Sequence, residues 1–314
     1  MSLPPIFDTL RIPVIGAPLF IISHPALVIA QCKAGIVGSF PALNARPASQ
    51  LDEWLAEISE TLEAHNQANP DNPAAPFAVN QIVHPSNTRW EEDLKLCEKY
   101  KVPIVITSLG AREELNTAVH GWGGITLHDI INNRFANKAL EKGADGLIAV
   151  ASGAGGHAGN LSPFALIQEI RDFFDGPLFL SGAIAHGGAV LAAQAMGADG
   201  AYIGSPFIAT HEARAMDDYK QEIVDSGADD IVGSSLFTGV YGNYLKGSIT
   251  KAGMDPDNLP ESDPSQMNFG GAKAWKDIWG SGQGIGRVKE VMGAGDLVAK
   301  LADEYADARA RLAR

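Results

Sequence analysis

Eight short runs rich in small and apolar residues recur along the first two thirds of the chain, each followed by a helical pattern. They fall at residues 12–18, 36–40, 77–83, 103–109, 124–130, 146–151, 177–183 and 200–205. Segments between them, such as SQLDEWLAEISETLEAHN and NRFANKALEKG, place apolar residues three and four apart and often stop at glycine, the spacing of crossover helices. Strands that are apolar without strict alternation suit a parallel sheet covered on both faces. Eight strand–helix units are the number that closes a (β/α)₈ TIM barrel, so an α/β barrel is expected, with an open doubly wound sheet as the other arrangement. The device GAD recurs in EKGADGLIAV and AMGADGAYIG, where a helix stops, the chain turns and a strand begins.

Past residue 220 the alternation ends, and stretches rich in Pro, Asp, Ser and Gly follow. We expect a barrel over 1–220, a small helical substrate or lid subdomain over 221–275, and a segment over 276–314 that returns to the barrel.

At 314 residues and 46% hydrophobic composition the chain can bury a large core, and its formal charge of −13 argues against nucleic-acid or anionic-membrane binding. Cys32 and Cys97 stand far apart with no C-x-x-C pair, so neither a disulfide framework nor a thiolate metal site is expected. The first twenty residues carry no basic segment ahead of an apolar one, and no run of about 18 apolar residues occurs. A cytoplasmic chain is expected; whether it assembles as a homo-oligomer is left open. P-loop, H-E-x-x-H and G-x-S-x-G patterns are missing, which lowers the weight of nucleotide hydrolysis, zinc proteolysis and serine esterase chemistry.

In a parallel barrel the chemistry gathers where strands end. The stretch ASGAGGHAGNLSPF (151–164) follows the sixth run. Its glycines let the backbone approach a flat ligand, and His157 is its one titratable group. Ser162 and Pro163 read as the N-cap and first position of the next helix. Gly153, Gly155 and Ala158 also fit the dinucleotide pattern G-x-G-x-x-A, but no helix opens at that turn. Strands seven and eight end in LSGAIAHGG and IGSPFIAT, where Ser181, Gly182, Ala183, Gly204 and Ser205 can offer backbone amides and hydroxyls to a phosphate.

Asn80 can face the barrel mouth and hydrogen-bond a ligand, or it satisfies a buried backbone group. IGAPLF turns the chain after strand one, so Ala17, Pro18 and Leu19 lie at the mouth. His128 and Asp129 are consecutive, so their side chains point to opposite sides and only one faces a ligand; His128 is assigned to the cofactor side. Tyr241, Asn243 and Tyr244 in YGNYLKGS are candidate substrate contacts. Trp275, Trp279 and Gln283 pose a choice between core packing and ligand contact, and Gln283 is assigned to the cofactor.

Taken in order, SGAGGHAG, LSGAIAHGGAVLAAQAMGADGAYIGSPFIAT and AWKDIWGSGQG resemble the nitronate monooxygenase family. The resemblance spans most of the chain and is strongest over 143–212. It implies a barrel that binds FMN, with the ring in the mouth and the phosphate at the ends of strands seven and eight. By that likeness His157 falls on the family's catalytic histidine. Asn80, Gly155, Gly182, Ala183, Gly204 and Ser205 fall on flavin-contacting positions, and Ala17–Leu19 lies beside the ring. Asp129 stands where some relatives carry a flavin-contacting lysine, and Val150 where others have a polar residue. The activity implied is oxidation of an alkyl nitronate with O₂. Relatives with the same flavin site act as NAD(P)H:quinone reductases, and a more distant branch reduces enoyl thioesters. A non-catalytic barrel that binds a phosphorylated ligand is the reading from another class. No cluster at metal-ligand spacing is expected on the strand ends.

Overall fold

Each of the eight runs becomes a parallel strand of a single sheet. A computed structural model describes residues 3–260 and 276–314. The strands are β1 (Val14–Gly16), β2 (Gly38–Pro41), β3 (Phe77–Ile82), β4 (Ile104–Ser108), β5 (Ile125–Ile130) and β6 (Gly146–Val150), then, after a two-residue strand β7 (Gly156–His157) outside this sheet, β8 (Leu178–Ser181) and β9 (Gly200–Ile203). The sheet runs β1-β9-β8-β6-β5-β4-β3-β2, and its two end strands meet. Ile15 bridges Val37 in parallel, the Gly16 N–H donates to the Val37 carbonyl at 2.8 Å, and the Val37 N–H donates to the Val14 carbonyl at 3.1 Å. The cylinder is therefore a closed TIM barrel.

Alternation along each strand sorts side chains into the barrel axis or the helix layer. Ile15, Ala78, Ile106, Leu127, Ile148, Phe179 and Tyr202 fill the interior. Phe7, on the 3₁₀ turn Pro5–Phe7, packs on Phe179 at a ring separation of 5.4 Å. Burying each such side chain contributes about 1.5–3 kcal/mol. Because the lower layers are filled with hydrocarbon, space for a ligand opens only at the strands' C-terminal ends.

The repeated GAD device has one physical cause in both places. Gly143 (φ 87°) and Gly197 (φ 111°) take the left-handed conformation that ends a helix. Two residues on, Asp145 Oδ2 accepts from the Thr126 N–H at 2.7 Å and Asp199 Oδ2 from the Leu178 N–H at 2.8 Å. Each aspartate thus satisfies an amide near the start of the neighbouring strand and fixes its height.

Beyond the barrel, the late segment differs from the helical expectation. It contributes the helix Asp217–Asp225 and a short helix Lys246–Lys251, but also two strands, β10 (Ile231–Ser234) and β11 (Gly242–Leu245). These strands pair antiparallel with each other, and β11 pairs with β7. The glycines and serines that read as loop are needed where strands approach closely: a Cβ on Gly242 would stand 2.7 Å from the Gly156 carbonyl oxygen. The last helix, Ala294–Leu312, buries Leu297, Val298 and Leu301 against the barrel, beside the helix Gly187–Ala195. Trp275 and the rest of residues 261–275, the last part of the expected lid, lie outside the described residues.

Candidate active site

A cavity of about 1110 Å³ opens at the C-terminal ends of the strands. Its wall includes Ala17, Pro18, Leu19, Asn80, His128 and Gly155, and also His157, Ser181, Gly182, Ala183, Gly204 and Ser205. Residues from the ends of five barrel strands and from the β6–β8 loop, spread from residue 17 to residue 205, therefore meet around one space.

His157 is held from outside the barrel. Pairing of Gly156 and His157 with Asn243 and Gly242 fixes its backbone, and Asn243 Nδ2 donates to the Ala154 carbonyl at 2.6 Å. The ring meets Thr238 Oγ1 through Nε2 at 2.9 Å. Thr238 donates its own proton to the Val240 carbonyl at 3.1 Å, an arrangement that favours the Nε2–H form of the imidazole. Burial lowers the His157 pKa to about 4, so the ring is neutral at physiological pH and can accept a proton.

On the opposite side the glycine turns nest into one another. Gly153 (φ 84°), Gly156 (φ 65°) and Gly182 (φ 139°) adopt left-handed or near-mirror backbone. A Cβ on Gly155 would stand 2.6 Å from the Gly282 nitrogen and 2.9 Å from Ser205 Oγ, and one on Gly182 would stand 2.7 Å from the Ser152 carbonyl oxygen. No side chain fits there without displacing backbone. Ser205 Oγ accepts from the Gly282 N–H at 2.8 Å, and the Ala183 N–H is spent on the Gly153 carbonyl at 3.1 Å. That amide is not free for a ligand, which corrects the reading of every residue in this corner as a donor. Gly182, Gly204 and the Ser205 hydroxyl remain at the wall, a lining of small neutral groups suited to a phosphate.

At the floor, Asn80 Nδ2 donates to the Ile106 carbonyl at 3.1 Å and to Ser108 Oγ at 2.7 Å, and Ser108 donates to Asp129 Oδ2 at 2.6 Å. The sequence assignment of His128 rather than Asp129 to the ligand side is reversed here. Leu127 belongs to the barrel interior, so Asp129, two residues on, shares the inward face. His128 turns to the outer face, where its Nδ1 pairs with Thr107 Oγ1. Both still border the cavity, because it lies at the strand's end. Burial, with a smaller effect from the Lys138 charge, lowers the His128 pKa to about 4. Desolvation raises the Asp129 carboxyl to about 7, partly offset by the Ser108 hydrogen bond.

The candidate substrate residues do not form the wall. Tyr241 is exposed and lies against Gly233, Asn243 holds the loop below His157, and Tyr244 is fully buried against Phe237, with ring centroids 4.9 Å apart. In β11 alternate residues face the barrel loop and the late segment's own small core, so Asn243 and Tyr244 are spent on structure, while Tyr241 precedes the strand and points to solvent. Gln283 lies exposed with its side chain against Gly153, while its neighbours Gly282 and Gly284 form the wall. Trp279 is packed, stacked on Tyr219 at 4.8 Å. Ser108, Asp129 and Thr238 went unread as site residues: the first two are visible only once the strand register is known, and the third gives no sequence signal. Ser162 stands before the helix Pro163–Arg171 but makes no side-chain cap.

Cys32 and Cys97 are both buried, and desolvation pushes their thiols up to about 12; neither acts as a nucleophile. Among the described residues no group of His, Cys, Asp or Glu could hold a metal ion, and no helix is long and apolar enough to cross a membrane.

The sequence profile of the nitronate monooxygenase family matches residues 6–304. The chain belongs to that family. A nitronate monooxygenase of Paraburkholderia phytofirmans is 27% identical over 83% of this chain and 81% of its own. An indene-carboxyl-CoA dehydrogenase of Rhodococcus jostii is 26% identical over 76% of this chain but only 64% of its own length, and a putative monooxygenase of Mycobacterium tuberculosis matches over 50% of its length. Among solved structures, the nitroalkane oxidase of Streptomyces ansochromogenes has a TM-score of 0.80 at 24% identity, covering 97% of this chain and 99% of that one. FabK of Thermotoga maritima has a TM-score of 0.77 at 21% identity, covering 99% of each chain. Both share the fold of this family member.

Proposed function

We propose that the cavity binds FMN and that this family member oxidises alkyl nitronates with O₂. What carries the reading is a neutral, hydrogen-bonded His157 facing the same cavity as the glycine-lined ends of β8 and β9. The site tests well against the cofactor: the cavity has room for a flat ring, the tightly packed glycine turns put backbone instead of side chains at its wall, and the neutral corner at Gly182, Gly204 and Ser205 suits one phosphate. Bound FMN would supply the redox chemistry.

The protein's own groups do the rest. Gly182, Gly204 and Ser205 would hold the phosphate, and Asn80 would hydrogen-bond the ring. A nitronate is an anion, and Arg46 and Lys138 on the cavity wall give a chain of net charge −13 a local positive entrance. With the neutral nitroalkane, His157 removes the α-proton at Nδ1 and so generates the nitronate in the site, while Thr238 keeps the other nitrogen protonated. Replacing Thr238 by valine should lower kcat about tenfold with FMN affinity unchanged, as read by steady-state kinetics and flavin titration. An unchanged kcat would remove Thr238 from the account.

One observation favours a second reading. About 1110 Å³ lies above the usual ~300–1,000 Å³ of ligand pockets, leaving space beside a flavin for something bulkier than a nitroalkane. On this reading NADH or NADPH donates the electrons and a quinone or enoyl thioester accepts them. Anaerobic mixing separates the two: a nitronate bleaches the yellow protein under the first, a reduced nicotinamide under the second.

A further inference from the structure

The proton chain at the cavity floor has a direction. An amide NH₂ only donates, so Ser108 Oγ must accept from Asn80 and pass its single proton to Asp129 Oδ2. Both Asn80 hydrogens are then committed, to Ile106 and to Ser108, and the side chain offers the cavity only its carbonyl oxygen. Asp129 Oδ1 is buried and receives no hydrogen bond. An ionised carboxylate would therefore leave one oxygen bare in an apolar surround, with Val150 and Tyr202 among the neighbouring inward residues.

The polar edge of an oxidised isoalloxazine carries a single N–H donor among several acceptors. Asn80 already supplies an acceptor, so a second acceptor would face lone pairs, whereas a carboxylic acid would meet them with a proton. We propose that Asp129 is a cofactor-binding residue that holds the flavin as the un-ionised acid, with Oδ1 left as the buried neutral carbonyl and Oδ2, which accepts from Ser108, carrying the proton and donating it to an acceptor on the ring. This rests on the reading that the cavity holds FMN.

Desolvation already favours the acid in the absence of ligand. The groups that bear on it electrostatically are few. Tyr202 on β9 is buried and un-ionised, its pKa raised by burial and then by the Asp129 charge. His128, on the same strand, points to the outer face, and His157 across the cavity is neutral. Lys138, Arg46 and Arg89 border the cavity from the surrounding loops and helices, and Arg89 is paired with Asp93 at 3.0 Å.

The test is FMN affinity against pH, measured by flavin fluorescence on protein stripped of cofactor, for wild type and Asp129→Asn. FMN's phosphate also titrates near pH 6, so the ratio of the two dissociation constants is the readout, with the neutral amide as internal control. If Asp129 must be protonated to bind, that ratio rises roughly tenfold or more from pH 6 to pH 8.5 in the sense of weaker wild-type binding. A constant ratio overturns the proposal while leaving FMN binding intact. Failure of both proteins to bind FMN at any pH overturns the cofactor reading and the inference together. Should the variant not fold, infrared spectra of wild-type holoprotein labelled at aspartate decide: a carboxylic-acid band at pH 8 supports the assignment, and its absence overturns it.

Discussion

Asparagine in place of His157 should lower turnover by roughly a hundredfold or more with a neutral nitroalkane, whose α-proton must be removed, because proton transfer by a placed side chain contributes about 10²–10⁴. The substitution is mild in shape. An asparagine amide can still donate toward Thr238, so loss of activity would report loss of the basic nitrogen rather than of the loop. The lowered pKa gives a second signature. Since the His157 value falls to about 4, the ring stays unprotonated as pH drops through the ordinary histidine range, and it charges only near pH 4. The limb of kcat/KM that belongs to this residue should accordingly lie below about pH 5 and vanish in the variant. A wild-type limb centred near 6.5 would contradict the buried, neutral state.

The second large effect is expected at Gly182. Its φ of 139° is open to glycine, and a Cβ would come within 2.7 Å of the Ser152 carbonyl oxygen. Valine there meets backbone rather than a movable side chain, and backbone strain of this kind costs about 1–3 kcal/mol before the clash is counted. The turn must shift, and with it the amide offered to the phosphate. FMN affinity should fall about a hundredfold or more, while riboflavin, which lacks the phosphate, should lose less. Titration of both ligands checks this, with circular dichroism to confirm the fold. Equal losses would mean that the turn bears on the ring and not on the phosphate.

The barrel was legible in the sequence because the strands are largely apolar on both faces and several of the helices stop at a glycine, so local pattern and overall topology agree. The GAD recurrence was legible for the same reason: Asp145 and Asp199 do one job at two joints of the barrel. His157 and the β8 and β9 ends were also readable, since position at a strand's C-terminal end is a property of the pattern. Asp129 and His128 were exchanged, because alternation shows that two neighbours oppose one another but not which of them faces in. That choice is set by the register of Leu127 in the barrel. Tyr241, Asn243 and Tyr244 looked like ligand contacts because polar aromatic clusters resemble binding surfaces. The partners of Asn243, Gly156 and the Ala154 carbonyl, lie more than eighty residues away in the chain, and no local pattern announces a pairing of that range. Thr238 is hidden for the same reason.

The central claim is that this cavity is a flavin site with its phosphate corner at Gly182, Gly204 and Ser205. The most direct measurement is the visible absorption spectrum of the purified protein, followed by identification of whatever is released on denaturation. A yellow protein that releases FMN in equimolar amount is the predicted result. Colourless protein that takes up no FMN on reconstitution would contradict the account.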